Sequence, residues 1–233
     1  MQLTRRAFLA GVSTFALTAA SAAREYRGGI PWEPGKAVPP PVYDPEQTFL
    51  TSEERAFVTA AVDRLIPADE YPSASELGVV DFIDHQLAGP FGRGDIYYME
   101  GPFRDGLPTQ GYQAQAPALL YRQAIADIRD GLAAAGQPDF IELPDDEKDT
   151  LLTRLSKGEG ELSHTDGKTF FDTLWQNTQE GYFGDPVYGG NRNMEAWRMI
   201  NFPGARYDYR PWIDHGGEAV ILDPVSVGGR MVP

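Results

Sequence analysis

Apolar residues return every three or four positions through most of this chain, and each such run is closed by Gly or Pro. That pattern constrains the fold more than any other feature, because it selects amphipathic helices and excludes a sheet built on alternation. The first run opens at Thr51-Ser52-Glu53-Glu54, which has capping-box spacing, and repeats Phe57, Val58, Ala61, Val62, Leu65 and Ile66 on one face before Pro67 stops it. A second helix is predicted over 75–88, with Val79, Val80, Phe82, Ile83 and Leu87 inward and Gly89-Pro90 as its end. A long helix over 117–135 accepts Pro117 in its first turn, turns Leu120, Ala124, Ile128 and Leu132 inward and ends at Gly136. The run over 145–157 starts on Asp145, Asp146 and Glu147, which suit the positive end of a helix dipole, buries Leu151, Leu152 and Leu155, and closes at Gly158 and Gly160. Asp166 leads a helix carrying Phe170, Phe171, Leu174 and Trp175 to near Gly181, and a short helix is expected over 193–200. The fold class is therefore mainly α: an irregular bundle of about five to six helices. Only Ala219-Val220-Ile221-Leu222, in a tail without helical period, reads as a short strand.

The intervals between the helices are long and share a composition. Residues 24–48 are Pro- and Gly-rich, with Pro39-Pro40-Pro41 favouring polyproline geometry, and form an extended N-terminal arm with Trp32 and Tyr43 as pegs, or else a linker. Residues 89–115 alternate glycine with Phe, Tyr and Pro; a loop of that length in a small domain is usually functional or disordered, and its aromatics oppose disorder. Residues 181–210 combine Gly181, Gly184, Gly189, Gly190 and Gly204 with Tyr182, Phe183, Tyr188, Trp197, Phe202, Tyr207 and Tyr209, and with Arg192, Arg198, Arg206 and Arg210. Glycine is kept where backbone turns tightly or approaches something closely, and aromatics with Arg are the side chains that anchor protein contacts. Two readings stand together here: some of these rings fill the domain's own core and some face a partner.

The 233 residues fit one ordinary domain with a real core. The net charge of −14 repels nucleic-acid phosphates and anionic lipid, so DNA and RNA binding are excluded. Cysteine is absent, which removes disulfides, thiolate nucleophiles, covalent haem attachment and iron–sulfur clusters. At the N-terminus Arg5-Arg6-Ala7-Phe8-Leu9 precedes a moderately apolar run to about Ala20, followed by Ala20-Ser21-Ala22. Arg5, Arg6, Phe8 and Leu9 thus read as a twin-arginine signal over 1–23, and that route exports proteins already folded. The expected organisation is signal 1–23, arm 24–48, helical domain 49–212 and tail 213–233.

Catalytic patterns are sparse. Asp81 and His85 lie four apart on a predicted helix and form either a metal or general-base pair or a surface ion pair. Glu53-Glu54 and Asp145-Asp146 resemble glycosidase carboxylates, but both sit at helix starts, where dipole compensation explains them. Trp175, Asn177, Tyr182 and Trp197 could line a sugar-stacking groove or belong to the core. No metalloprotease, phosphate-loop, dinucleotide or nucleophile-elbow motif is present. No catalytic, cofactor-binding or metal residue is expected.

Two blocks resemble one family. Phe49-Leu50-Thr51-x-Glu53-Glu54 with Asp63-Arg64-Leu65-Ile66-Pro67-Ala68-Asp69, then Ala74-x-Glu76-x-Gly78-Val79-x-x-Phe82-Ile83-Asp84, form the first. Gly181-Tyr182-Phe183-Gly184-Asp185-Pro186-x-Tyr188-Gly189-Gly190-Asn191, with Trp197 and Phe202-Pro203-Gly204-Ala205-Arg206, form the second. Together they are similar to the gluconate 2-dehydrogenase subunit 3 family over about residues 49–212. The resemblance implies a non-catalytic small subunit of a periplasmic, membrane-associated sugar, aldonate or polyol dehydrogenase. It implies a large flavoprotein of the glucose–methanol–choline type carrying FAD, a multihaem cytochrome c subunit passing electrons to quinone, and joint passage through the twin-arginine translocon. Partner contact is then expected at Tyr182, Phe183, Tyr188, Asn191, Trp197, Arg206, Tyr207 and Tyr209. A free-standing periplasmic sugar-binding module or hydrolase is the alternative.

Overall fold

The computed structural model describes residues 46–97, 99, 115–206, 209–214, 216–217 and 220–228. The signal, the arm up to residue 45 and most of the 98–114 loop lie outside them. Among the described residues seven α-helices and several 3-10 turns follow one another, and no strand longer than an isolated bridge forms. The mainly α bundle expected from the apolar period is the fold observed.

The first helix, α1 (Ser52–Leu65), begins as its sequence dictates: the Thr51 side chain accepts from Glu54 N while Glu54 reaches back to Thr51 N. Phe57, Val58, Ala61 and Val62 are buried on its inner face. Leu65 and Ile66 are only partly covered, because the last backbone bond, Ile66 N to Val62 O, is followed by Pro67, which cannot continue the ladder. α2 (Val79–Ala88) starts four residues later than the apolar pattern predicted. Gly78 sits at φ +82°, a left-handed conformation that breaks the helix, and the turn before it is held by the Asp63 carboxylate, which accepts from Ser75 N at 2.9 Å and Ser75 Oγ at 2.7 Å.

Gly89-Pro90 ends α2 but immediately restarts a single turn, α3 (Pro90–Arg93), since proline suits a first helical position. α4 (Pro117–Ala134), α5 (Asp145–Ser156) and α6 (Gly167–Phe183) match their predicted runs. α6 is capped by Asp166, whose carboxylate accepts from Thr169 N at 2.7 Å, and it runs beyond Gly181 to Phe183. α7 (Glu195–Met199) closes the series behind two 3-10 turns, Pro186–Tyr188 and Arg192–Met194.

The core lies where α1, α2, α4, α5 and α6 meet. Phe57 packs 4.5 Å from Phe140 and 6.4 Å from Phe170, and Tyr121 meets Phe170 edge-on at 5.5 Å. Each such fully buried ring contributes about 1.5–3 kcal/mol over an exposed one. The Tyr121 hydroxyl, in the middle of this apolar set, accepts from Asn177 Nδ2 at 3.0 Å, so neither polar group is orphaned. Leu132, Leu151 and Phe171 sit at the margin of the core, and Trp175 lies on the outer side of α6, about one-third exposed at 36%.

The strand expected over 219–222 does not form at Val220–Leu222; Ala219 lies outside the described residues. The pairing falls further on, as a parallel bridge between Gly204 and Val225, with Ala205 N donating to Val225 O at 2.7 Å and Val225 N to Pro203 O at 3.3 Å. Residues 223–228 are thereby folded onto the second block, a placement no periodicity announced.

Candidate interaction surface

Residues 181–206 are shaped by backbone meeting backbone. A Cβ on Gly190 would stand 2.0 Å from the Gly181 carbonyl oxygen, so the chain returning from the Pro186–Tyr188 turn lies against the end of α6 at a distance only glycine permits. Asn191 then takes φ +45°, and Asn193 and Met194 follow at +56° and +59°. Three left-handed, non-glycine positions among four consecutive residues are costly unless the surroundings hold them.

Asn191 supplies that hold. It is completely buried, its Nδ2 donates to Gly184 O at 2.9 Å, and its Oδ1 accepts from Ala196 N at 3.1 Å, so one amide ties the end of α6 to the start of α7. Trp197 is buried beside it, donating Nε1–H to Phe183 O at 2.7 Å and packing edge-on against Phe202 at 5.2 Å. Tyr182 is also inside, its hydroxyl donating to Pro72 O at 2.9 Å. Burial pushes that hydroxyl's pKa up, with the Asp69 charge adding to it.

The rings divide between the interior and the surface. Tyr182, Asn191 and Trp197 belong to the interior frame, so as contact residues they support the surface from beneath and do not reach it. Phe183, Tyr188 (45% exposed), Phe202 (44% exposed) and Tyr209 stand partly outside, joined by the more exposed Ile200 and Val227. Arg206 is directed within the chain, donating from Nη2 to Asp223 O at 2.7 Å. Tyr207 and the signal residues Arg5, Arg6, Phe8 and Leu9 lie outside the described residues.

Asp185 is a residue the sequence reading missed. Its carboxylate accepts from Val187 N at 3.0 Å, Ser226 Oγ at 2.6 Å and Val227 N at 2.8 Å, capping the Pro186–Tyr188 turn and pinning the tail at once. An Asp-Pro dipeptide favours turn initiation, but the sequence reading drew no turn from it and nothing in the chain pointed to Ser226.

The two sequence blocks are adjacent in space. Arg192 N donates to Leu77 O at 3.1 Å, and the Arg192 guanidinium shares Asp81 with Arg55 of α1. Asp81 is therefore committed to two arginines, and His85 Nδ1 lies 3.1 Å from Gln47 O, so the pair is built into the scaffold. Among the described residues no three His, Asp or Glu converge as metal ligands would. The carboxylates at helix starts are likewise engaged: Glu53 with Arg129 at 2.5 Å, Glu54 with Arg122 at 2.9 Å, Asp145 with Arg64 at 2.7 Å. Burial pushes the Glu54 carboxyl up, but the Arg122 and Thr51 hydrogen bonds outweigh it and hold it below its ordinary value.

A second contact without a sequence signal is Asp127–His164. The buried carboxylate accepts from His164 N at 2.8 Å and meets His164 Nδ1 at 2.6 Å, pinning the loop before α6 to α4. A sugar groove does not assemble from Trp175, Asn177, Tyr182 and Trp197, since the last three are each buried in separate contacts. A hollow of about 400 Å³ does open beside the end of α4, but its walls are Ala126, Arg129, Asp130, Ala133, Gln137, Pro138 and Asp139, with no ring to stack a sugar.

These features define a helical domain that carries a glycine-turned aromatic segment on a buried polar frame. Residues 52–204 match the family model for gluconate 2-dehydrogenase subunit 3, and the chain belongs to that family. Neither a curated protein nor a solved structure matches it. No helix among the described residues is long and apolar enough to cross a membrane.

Proposed function

We propose that the chain is the non-catalytic small subunit of a periplasmic, membrane-associated dehydrogenase of sugars, aldonates or polyols, and that it stabilises an FAD-bearing large subunit and accompanies it through twin-arginine export. In this reading FAD belongs to a glucose–methanol–choline-type partner and haem c to a further cytochrome subunit; this chain binds neither. The observation that carries it is the half-exposed ring set Phe183, Tyr188 and Phe202 mounted on the buried Asn191–Trp197 frame, in a chain of the subunit 3 family. Rings fixed from beneath lose little conformational entropy on docking, which is what an anchor residue requires. A constitutive partner would bury on the order of 2,000 Å² or more in total.

Co-expression with a flavoprotein of the glucose–methanol–choline type tests this. Tyr188→Asp with Phe202→Asp places charge where an apolar contact is expected, and should weaken the complex by about 100-fold or more while the helical circular-dichroism signal is retained. Wild-type affinity in that double variant would overturn the placement of the surface. Saturable aldonate binding by the chain alone would overturn the subunit reading itself.

A further inference from the structure

The second block holds a seat for the tail. Gly204 sits at φ +73°, and a Cβ there would stand 2.2 Å from Val225 O and 2.9 Å from the Trp197 ring, so the tail backbone lies against the block at a distance only glycine permits. Polar bonds around that contact fix its register. Ala205 N donates to Val225 O at 2.7 Å, Val225 N to Pro203 O at 3.3 Å and Arg206 Nη2 to Asp223 O at 2.7 Å, while Ser226 Oγ and Val227 N both reach the Asp185 carboxylate. Val225 and Ser226 are buried in this seat, whereas the Val227 side chain stands 68% exposed. It emerges beside the rings: its amide is bonded to the carboxylate that caps the turn ending in Tyr188, and Val225, two residues back, pairs with the residue after Phe202. The tail thus adds an aliphatic side chain to the face carrying Tyr188 and Phe202, from outside the residues 52–204 that match the family model.

Seating the tail also changes the electrostatics of that face. Within its own turn Asp185 has one donor, Val187 N at 3.0 Å, and docking an apolar partner over a carboxylate so poorly served would strip water from a charge. Ser226 Oγ at 2.6 Å and Val227 N at 2.8 Å add two donors from the tail, so the charge is solvated by the protein itself before any partner arrives. We infer that residues 223–228 are part of the docking surface: Val227 is a contact residue for the large subunit, and the Ser226–Asp185 bond prepares the face that receives it. The occupant is the FAD-bearing subunit because Val227 is continuous with the ring set assigned to that partner, and the inference rests on that reading.

Affinity of the full chain for a flavoprotein of the glucose–methanol–choline type, read together with hydrogen exchange on the free chain, tests this. Val227→Lys puts a charge on an exposed position and removes no bond of the seat. It should weaken the complex about 10-fold or more while the Val225 and Val227 amides of the free chain exchange at the wild-type rate. Ser226→Ala withdraws one donor from Asp185. It should raise exchange at those two amides, and weaken the complex, by about 5-fold or more each, with amides in α4 and α6 still protected. Wild-type affinity in Val227→Lys would overturn the tail contact. So would a loss of affinity accompanied by faster exchange throughout the helices, since the tail would then serve the fold alone. Ser226→Ala at wild-type affinity and exchange would overturn the role of the seat. Tyr188→Asp with Phe202→Asp in the same assay separates these results from the subunit reading: if that pair weakens the complex and Val227→Lys does not, the tail inference fails and the ring surface stands. A wild-type chain that binds no such flavoprotein would overturn both.

Discussion

Replacing Asn191 by Ala removes one buried amide and, with it, the tie between α6 and α7. Two backbone groups lose their partners: the Gly184 carbonyl, now 2.9 Å from Nδ2, and the Ala196 N–H, now 3.1 Å from Oδ1. A buried backbone group left without a partner costs about 1–3 kcal/mol. The backbone at φ +45° adds to this, because a left-handed position costs an ordinary residue about 1–2 kcal/mol and Asn is among the few that tolerate it. Together these give a loss of about 3–8 kcal/mol, a large part of the ~5–15 kcal/mol that stabilises a typical domain. In urea, with a slope of about 2 kcal/mol per molar, the midpoint should fall by roughly 1.5–4 M. The change can be followed by tryptophan fluorescence, since Trp197 lies in the affected turn. Asn191→Gly separates the two causes: it relieves the left-handed backbone and leaves both groups unpaired, so it should stand about 1 kcal/mol above Asn191→Ala. An Ala variant within about 1 kcal/mol of wild type, or a Gly variant no better than Ala, would refute the reasoning.

Gly190→Ala forces a Cβ to 2.0 Å from a backbone carbonyl that cannot swing aside, and should cost about 3 kcal/mol or more, read as a lower melting temperature or insoluble protein. Tyr121→Phe leaves the buried Asn177 amide without its acceptor and should cost about 1–2 kcal/mol in urea unfolding, with no change in partner binding. Asp127 predicts a pH dependence. Burial raises its pKa, but hydrogen bonds from the His164 ring and backbone outweigh that and hold the folded carboxyl below its ordinary value. A depressed carboxylate stabilises above the unfolded pKa of about 4 and ceases to do so as pH falls through the folded value. The stability advantage of wild type over Asp127→Asn should therefore be full at about pH 6 and shrink below about pH 4; an advantage that grows on acidification would contradict the pairing.

Helices were legible because their causes are local. The Thr51–Glu54 box, the inward face of Phe57, Val58, Ala61 and Val62, the proline that opens α4 and the acidic first turn of α5 are all settled within one or two turns of chain. The late start of α2 illustrates the limit. Apolar spacing from residue 75 reads as helix, but Asp63, a turn and more away on α1, takes Ser75 for a different geometry and Gly78 supplies the break. Long-range polar contacts left no trace in the spacing: Asp185 with Ser226, Asp127 with His164, and Asp84 with the Phe49 and Leu50 amides are each separated by more than thirty positions. The aromatic segment was found by composition alone, and composition could not tell Tyr182 and Trp197, which are inside, from Tyr188 and Phe202, which are partly out.

That division has a physical logic that joins the two blocks. Asn191 holds the second block's left-handed turns from within, and the block as a whole is docked on α2 and its approach. Tyr182 anchors to Pro72, the Arg192 backbone to Leu77 and the Arg192 side chain to Asp81, which Arg55 of α1 also grips. A Cβ on Gly181 would meet Phe82 at 2.8 Å, so the helices themselves close here as tightly as side chains permit. The rings that reach outward are thus positioned by residues more than a hundred positions earlier. Asp81→Asn, which removes charge from a half-covered site without opening a cavity, should leave the helical core folded and yet loosen the turn carrying Tyr188. The expected result is weaker binding of the proposed flavoprotein partner with an almost unchanged melting temperature. Equal losses in binding and in melting temperature would instead mean that Asp81 serves the fold alone, and that the surface is held by Asn191 and Trp197 without help from the first block.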